Sequence, residues 1–436
     1  MTTKYRVEYA LKSHRRDGFI EWIKGLLAVP FVLHSEPAAY IKGVESWAEA
    51  TGITRQQYAA IMSDIEQLIE DQRRDRILAQ INEVENEKNG TPHLAKIRHL
   101  VPSVGTFFTK LPLEKAFYAQ DAKRAISCRR LVSPSFNDVR LILNTAQIMT
   151  LASAEESLKL VTLDGDVTLY EDGQSVTVDS PIIPALLELL KRDIAIGIVT
   201  AAGYADTSGT RYKERLEGIL LAVRDSTELT PAQKRNLLVM GGESNFLFRF
   251  SVDSGTLVYV DREEWILPEM ADWEEGDIQS LLDLAEEVIS SCQHVMNLNG
   301  EVVRKDRAVG IVPLLGKKMI REDLEEVVLG TQRRLEFSEY GRKINFCAFN
   351  GGSDVWVDIG DKRLGVKALQ RYLGQISGRQ TLHVGDQFAS IGANDFKARL
   401  AACTVWVADP SETLDALQEL CGYIDKYATK RFKPQA

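Results

Sequence analysis

The stretch between residues 160 and 200 constrains the fold more than any other part of this chain. Leu160-Val161-Thr162-Leu163 is a short apolar run stopped by Asp164, and it reads as a buried strand. Residues 182–190 form an apolar patch with helical texture, and Ile194-Ala195-Ile196-Gly197-Ile198-Val199 is a second strand-like run ending at Thr200. Strand, helix and strand in that order make a βαβ unit, hence a parallel sheet. The C-terminal part repeats the pattern: residues 365–373 read as helix, 381–384 as strand, 396–400 as helix, 404–407 as strand and 411–427 as a last helix. The expected class is α/β, with a Rossmann-like parallel-sheet core.

At 436 residues the chain has room for two or three domains. Residues 1–150 read as mainly helical, an appendage for regulation or oligomerisation. Within it, residues 63–88 carry Ile65, Leu68, Ile69, Ile77, Leu78, Ile81 and Val84 broadly at helical period, with a break at residues 72–75 and a stop at Asn89-Gly90. Residues 151–210 and 345–436 are assigned to the sheet core. Residues 211–344, with the alternating run Thr256-Leu257-Val258-Tyr259-Val260 and a charged helix over 277–290, read as an inserted α+β module.

Composition narrows the function classes. Lys and Arg number 53 against 62 Asp and Glu, a net charge of −9, so a global basic footprint for nucleic acid is absent. The five cysteines are scattered without a CxxC pair, which disfavours a disulfide framework or a zinc ribbon. The N-terminal MTTKYRVEYALKSHRRDGF lacks the apolar centre of a secretory signal, and no run is long enough for a membrane span. A cytoplasmic location is the expectation, with no membrane partner.

Polar residues gather just past the expected strand ends, where open parallel sheets bind ligands. Asp164-Gly165-Asp166-Val167-Thr168 places two carboxylates two residues apart; one can be a nucleophile while the other carries a proton. Thr200 and the following Ala201-Ala202-Gly203 backbone suit an anionic oxygen. Lys362, opening a helix, suits charge neutralisation of a phosphoryl group. Gly385-Asp386, with Asn394-Asp395 downstream, adds hard carboxylate oxygens that call for Mg²⁺.

DGDVT, IVTAAG, GDKRLGVKAL and HVGDQFASIGAND, in this order, resemble the motifs of the haloacid dehalogenase superfamily of phosphotransferases. TLDGDVTLYEDG, GGSDVWVDIGDKRLGVKALQ and VGDQFASIGANDFKARL give a closer resemblance, to the IMP-specific 5′-nucleotidases of fungi and apicomplexan parasites. That resemblance implies an enzyme hydrolysing IMP to inosine and phosphate. It implies Asp164 as nucleophile, Asp166 as acid then base, and Mg²⁺ held by Asp164, the Asp166 carbonyl and Asp386. Thr200 and Lys362 are implied as phosphoryl ligands, and Asp166, Asp172, Arg211 and Asp354 as further substrate contacts. ATP is implied as an allosteric activator, with the basic cluster Lys123, Arg124, Arg129 and Arg130 as its candidate site, and a homotetramer as the assembly. Two roles for Asp395 stay open, touching the metal or orienting its shell. A sugar-phosphate phosphatase or phosphomutase, and a non-catalytic nucleotide-binding regulator, are the alternative functions.

Other features read as structural. Gly310-Ile311-Val312-Pro313-Leu314-Leu315-Gly316-Lys317-Lys318 is one residue too long for a P-loop and lacks its Ser/Thr. His383 reads as a satisfied core histidine, Lys367 as a solvated helix residue, and Trp265 and Trp273 as packing residues.

Overall fold

The computed structural model describes residues 17–33, 46–84, 96–129, 131–154, 156–202, 207–388 and 392–431. The chain divides into two compact units, residues 1–157 with 418–436, and residues 158–417.

The first unit is helical, with helices Gly18–Leu33, Trp47–Val84, Lys96–Leu100, Leu113–Arg124 and Phe136–Ser153. The long helix buries Tyr58, Met62, Ile65 and Ile69, spaced by four, three and four residues, so one stripe faces inward. Tyr58 meets Phe117 edge-on at 6.0 Å between ring centres. The expected break at Gln72 is not a break: Gln72 is buried and its amide donates to the Gly105 carbonyl at 3.4 Å. Asn89-Gly90 lies outside the described residues. Helix Phe136–Ser153 starts with a capping box, in which Ser135 and Asp138 satisfy each other's backbone N–H groups.

The second unit is built on two sheets. Strands β1 (Leu160–Leu163), β2 (Ala195–Thr200), β3 (Leu237–Gly241), β4 (Phe246–Ser251) and β5 (Thr256–Tyr259) share a sheet with β10 (Thr381–Gly385) and β11 (Cys403–Trp406). The order is β11-β10-β1-β2-β3-β4-β5; β11 to β3 run parallel, and β4 and β5 turn back as an antiparallel edge. β1 and β2 are buried throughout, as a parallel sheet covered by helices requires.

The second sheet is antiparallel, in the order β6-β7-β9-β8, from β6 (Gly300–Arg304), β7 (Ala308–Pro313), β8 (Phe346–Asn350) and β9 (Val355–Ile359). Helices Glu275–Val295 and Arg321–Glu336 cover one face, packing Leu281, Ala285, Ile289, Val327 and Leu335 against Val309, Ile311, Val355 and Val357. The expected boundaries of the insert therefore need correction at both ends. Residues 237–259 complete the core sheet, and β8 and β9, assigned to the core from sequence, belong to the inserted sheet. The P-loop-like run enters β7 and a turn, and no helix follows it before Arg321.

Candidate active site

Strand order builds the site. β1 lies between β10 and β2, so Asp164, Thr200 and Asp386 come to one edge of the sheet. The Asp164 N–H donates to the Val384 carbonyl at 3.0 Å, fixing the chain as it leaves β1. Helix Lys362–Tyr372 starts at the same edge, with Asp361 accepting from the Leu364 N–H as its N-cap.

Lys362 is fully buried at the first turn of that helix, where the helix dipole opposes a cation. Two carboxylates offset this: its Nζ stands 2.6 Å from Asp164 Oδ2 and 2.6 Å from Asp395 Oδ1. Burial alone would lower its pKa, but Asp164 and Asp395 raise it above the ordinary lysine value. Asp164 is pushed up to about 7 by burial, against the pull of Lys362. Asp395 goes the other way, to about 2, because Lys362 and a hydrogen bond with His383 outweigh its burial. Burial and then the Asp395 and Asp164 charges raise Asp386 well above its usual range.

Asp395 is thus a structural centre of the site. Its Oδ1 meets His383 Nε2 at 3.1 Å and its Oδ2 accepts from the Gln387 N–H at 2.9 Å. His383 is the satisfied core histidine expected, since its Nδ1 meets Thr162 Oγ1 at 2.9 Å, but it also orients Asp395. Gly385 is required here: a Cβ on it would stand 2.4 Å from the Asp395 carboxyl. Asp164, Asp386 and Asp395 each bring a carboxylate oxygen within 4.8 Å of the others.

Thr200 is buried, and its Oγ1 accepts from the Ala202 N–H at 3.1 Å. Gly203 lies outside the described residues. Asp166 is half-buried; its Oδ1 accepts from the Gly173 N–H at 3.0 Å and from Arg215 at 3.1 Å. Val167, between the aspartates and Thr168, takes a left-handed φ of 59°, a costly conformation for a β-branched residue. Thr168 is fully buried, and its hydroxyl has no hydrogen-bond partner among the described residues.

The remaining substrate candidates share one electrostatic neighbourhood. Burial raises the Asp354 pKa, Trp356 Nε1 donates to its Oδ2 at 3.0 Å, and the Asp172 charge acts on it. Lys305, half-buried, is lowered by burial while Asp358 and Asp354 raise it and Arg211 lowers it. Its Nζ sits 3.8 Å from the centre of the Trp356 ring. Sequence reasoning missed Arg215, Lys305, Trp356 and Asp358. Lys305 and Arg215 sit among ordinary surface charges in the sequence and carry no motif.

Several other readings hold. Lys367 pairs with Glu269 at 3.3 Å, and buried Trp265 donates to the Val260 carbonyl at 3.2 Å. The basic cluster is largely committed within the helical unit: Lys123 pairs with Glu419 at 3.2 Å, and Arg124 and Arg129 both bind the buried Asp138 carboxylate. Arg130 lies outside the described residues.

A buried aspartate at the end of a central parallel strand, a buried lysine beside it and further carboxylates at the next strand end form a candidate phosphoryl-transfer site on a fold of the haloacid dehalogenase class. The family model for IMP-specific 5′-nucleotidase matches residues 1–417, and the chain belongs to that family of phosphoric monoester hydrolases. It is 56% identical to IMP-specific 5′-nucleotidase 1 of Yarrowia lipolytica over 426 residues, covering 98% of each chain. It is 48% identical to the Saccharomyces cerevisiae protein of the same name, over 96% of this chain and 99% of that one. Among solved structures, an IMP-bound mutant of Plasmodium falciparum IMP-nucleotidase matches with a TM-score of 0.74 at 31% identity, over 93% of this chain and 96% of that one. The ATP-bound form of that enzyme also matches at 0.74, with 30% identity over 96% of this chain and 88% of that one.

Proposed function

We propose that this chain hydrolyses IMP to inosine and inorganic phosphate through a phosphoryl group carried transiently on Asp164. The observation that carries the reading is Asp164 at the end of β1, held 2.6 Å from buried Lys362. Lys362 pulls against the burial of Asp164 and so favours the ionised nucleophile in a dry site. An Asp164 oxygen attacks phosphorus, the bond from phosphorus to the 5′-oxygen breaks, and Asp166 gives that oxygen its proton. Asp166 then takes a proton from water as the water attacks phosphorus, and the bond between Asp164 and phosphorus breaks. Arg215 and Gly173 hold Oδ1 of Asp166, which orients its second oxygen for this transfer. Thr200 and Lys362 are the phosphoryl ligands in this reading.

Mg²⁺ fits the residues present. Asp164, Asp386 and Asp395 converge with three hard oxygens, and burial leaves Asp164 and Asp386 short of compensating positive charge. Asp164, Asp386 and the Asp166 carbonyl would hold the ion, with Asp395 completing the carboxylate cluster. When bound, it supplies positive charge against the phosphoryl oxygens.

Asp172, Arg211 and Asp354 bind the nucleoside part in this reading, and the Lys305–Trp356 pair joins them. The helical unit serves regulation by ATP and assembly as a homotetramer in the cytoplasm; the ATP-bound relative supports the first. The test is a substrate panel of IMP, AMP, GMP and a sugar phosphate, with and without chelator. Rapid, chelator-sensitive turnover of IMP is expected. Preference for the sugar phosphate, or no turnover of any, would overturn the reading.

A further inference from the structure

The loop between β3 and β4, residues 242–245, touches three parts of the second unit. The Glu243 N–H donates to the Thr200 carbonyl at 3.0 Å. Asn245 Nδ2 donates to the Gly242 carbonyl at 2.6 Å and to the Ile359 carbonyl at 2.7 Å. Ile359 ends the inserted sheet, just before Lys362, so this amide ties the loop to the link between the two sheets. Gly360 follows with a φ of 86°, and a Cβ there would stand 2.0 Å from Ser244 Oγ.

Glu243 itself is fully buried, with a left-handed φ of 63°. A buried carboxyl group is costly unless its oxygens are satisfied. Only one of them is: Asn394 Nδ2 donates to Oε1 at 3.4 Å. Among the described residues, Glu243 Oε2 and Asn394 Oδ1 are both buried and both lack a partner. These are the two atoms that the second bond of a cyclic acid–amide pair would join. An ionised carboxylate and an amide oxygen are both acceptors, whereas a carboxylic acid supplies the missing O–H donor. Burial, with the Asp358, Asp164 and Asp395 charges, outweighs the opposing charge of Lys362 and favours that protonated form.

We propose that Glu243, as a carboxylic acid, forms a two-point pair with Asn394 and so positions the neighbouring Asp395 against Lys362. Glu243 is a positioning residue. It acts through Asn394 on the carboxylate that grips the catalytic lysine. The proposal deepens the hydrolase reading and rests on it for its kinetic readout.

Glutamine at this position keeps both bonds of the pair, and methionine keeps the shape but neither bond. Glu243→Met is expected to lower kcat by about 10–100-fold, the usual effect of losing an outer supporting contact, with KM for IMP unchanged. Glu243→Gln should stay within about threefold of wild type. In the double variant with Asn394→Ala, the loss should not exceed the larger single loss, because both changes break one pair. Difference infrared spectroscopy of wild type minus Glu243→Gln, without substrate, should show the carbonyl band of one protonated carboxylic acid. No such band, equal damage from Gln and Met, or an unchanged kcat in Glu243→Met would overturn the proposal. Should Glu243→Met fail to fold, Asn394→Ala alone decides the kinetics, and its wild-type kcat would contradict the pair. If the wild type fails to turn over IMP, the hydrolase reading falls, and the infrared band alone decides the pair.

Discussion

At the scale of single residues, the site depends on charges that satisfy one another out of water. Lys362 is the pivot, since it faces both Asp164 and Asp395 at 2.6 Å. Lys362→Met leaves two buried carboxylates without their cation, so it should destabilise the protein by about 3–5 kcal/mol and abolish turnover. Urea unfolding and an IMP assay read the two effects separately. Asp166→Asn keeps the shape but removes the proton donor, and kcat should fall by about 10²–10⁴-fold with the fold intact. The two aspartates, Thr200, Lys362 and Asp386 were legible because each stands at a strand end or helix start that the sequence pattern marks. Asp395 was legible as a carboxylate near the metal, but its contacts were not. Asp395 Oδ1 faces Lys362 and His383 together, a convergence of segments far apart in the chain that no local spacing encodes. Glu243 follows Gly241-Gly242 in a stretch that carries no motif, and the bond from Asn245 to the Ile359 carbonyl is what anchors its loop.

At the scale of elements, the βαβ unit was readable because β1 and β2 are continuous apolar runs of strand length with a polar stop. The boundary drawn at residue 345 put β8 with the core. Phe346-Cys347-Ala348-Phe349 is equally apolar and buried, yet it pairs antiparallel with β9 in the inserted sheet. A strand buried on both faces looks alike in either sheet. Conversely, β5 is the edge strand of the core sheet, with Leu257 buried and Val258 exposed, and its alternation suggested a separate module. In the helical unit, helix Phe136–Ser153 depends on Asp138. Burial pushes its carboxyl up, but hydrogen bonds from Arg129, Ser135 and Arg124 bring it down to about 2 from 3.8. A folded pKa below the unfolded one stabilises the fold above about pH 4, and that stability is lost as pH falls towards 2. The difference is worth about 2 kcal/mol. Unfolding free energies of wild type and Asp138→Asn should differ by about that much at pH 7 and converge as the pH drops to 2. A constant difference across that range would show that the carboxylate charge is not what holds this helix start.

At the scale of the whole molecule, the unit that carries the candidate site is joined to a helical unit without a catalytic motif of its own. Its matched relatives span nearly their full length, so the helical part belongs to the family's design and is not a chance extension. If ATP acts through it, ATP should shift the IMP saturation curve, and IMP must tighten ATP binding by the same factor. Among the described members of the basic cluster Lys123 is the most exposed, at 59%. Lys123→Ala should weaken the ATP response while sparing basal activity. Arg129→Ala/Arg130→Ala should weaken it too, and should also lower stability by releasing Asp138. An unmoved wild-type curve would remove ATP from the account, and equal responses in all variants would leave these residues as structural charges. The central claim, a phosphoryl group carried on Asp164, has a more direct test. Single-turnover reactions with IMP, quenched in acid, can be digested and weighed for the peptide containing Asp164. The account predicts one added phosphoryl group on Asp164, accumulating further in Asp166→Asn and absent in Asp164→Asn. Phosphate on a different residue, or turnover by Asp164→Asn at the wild-type rate, would contradict it.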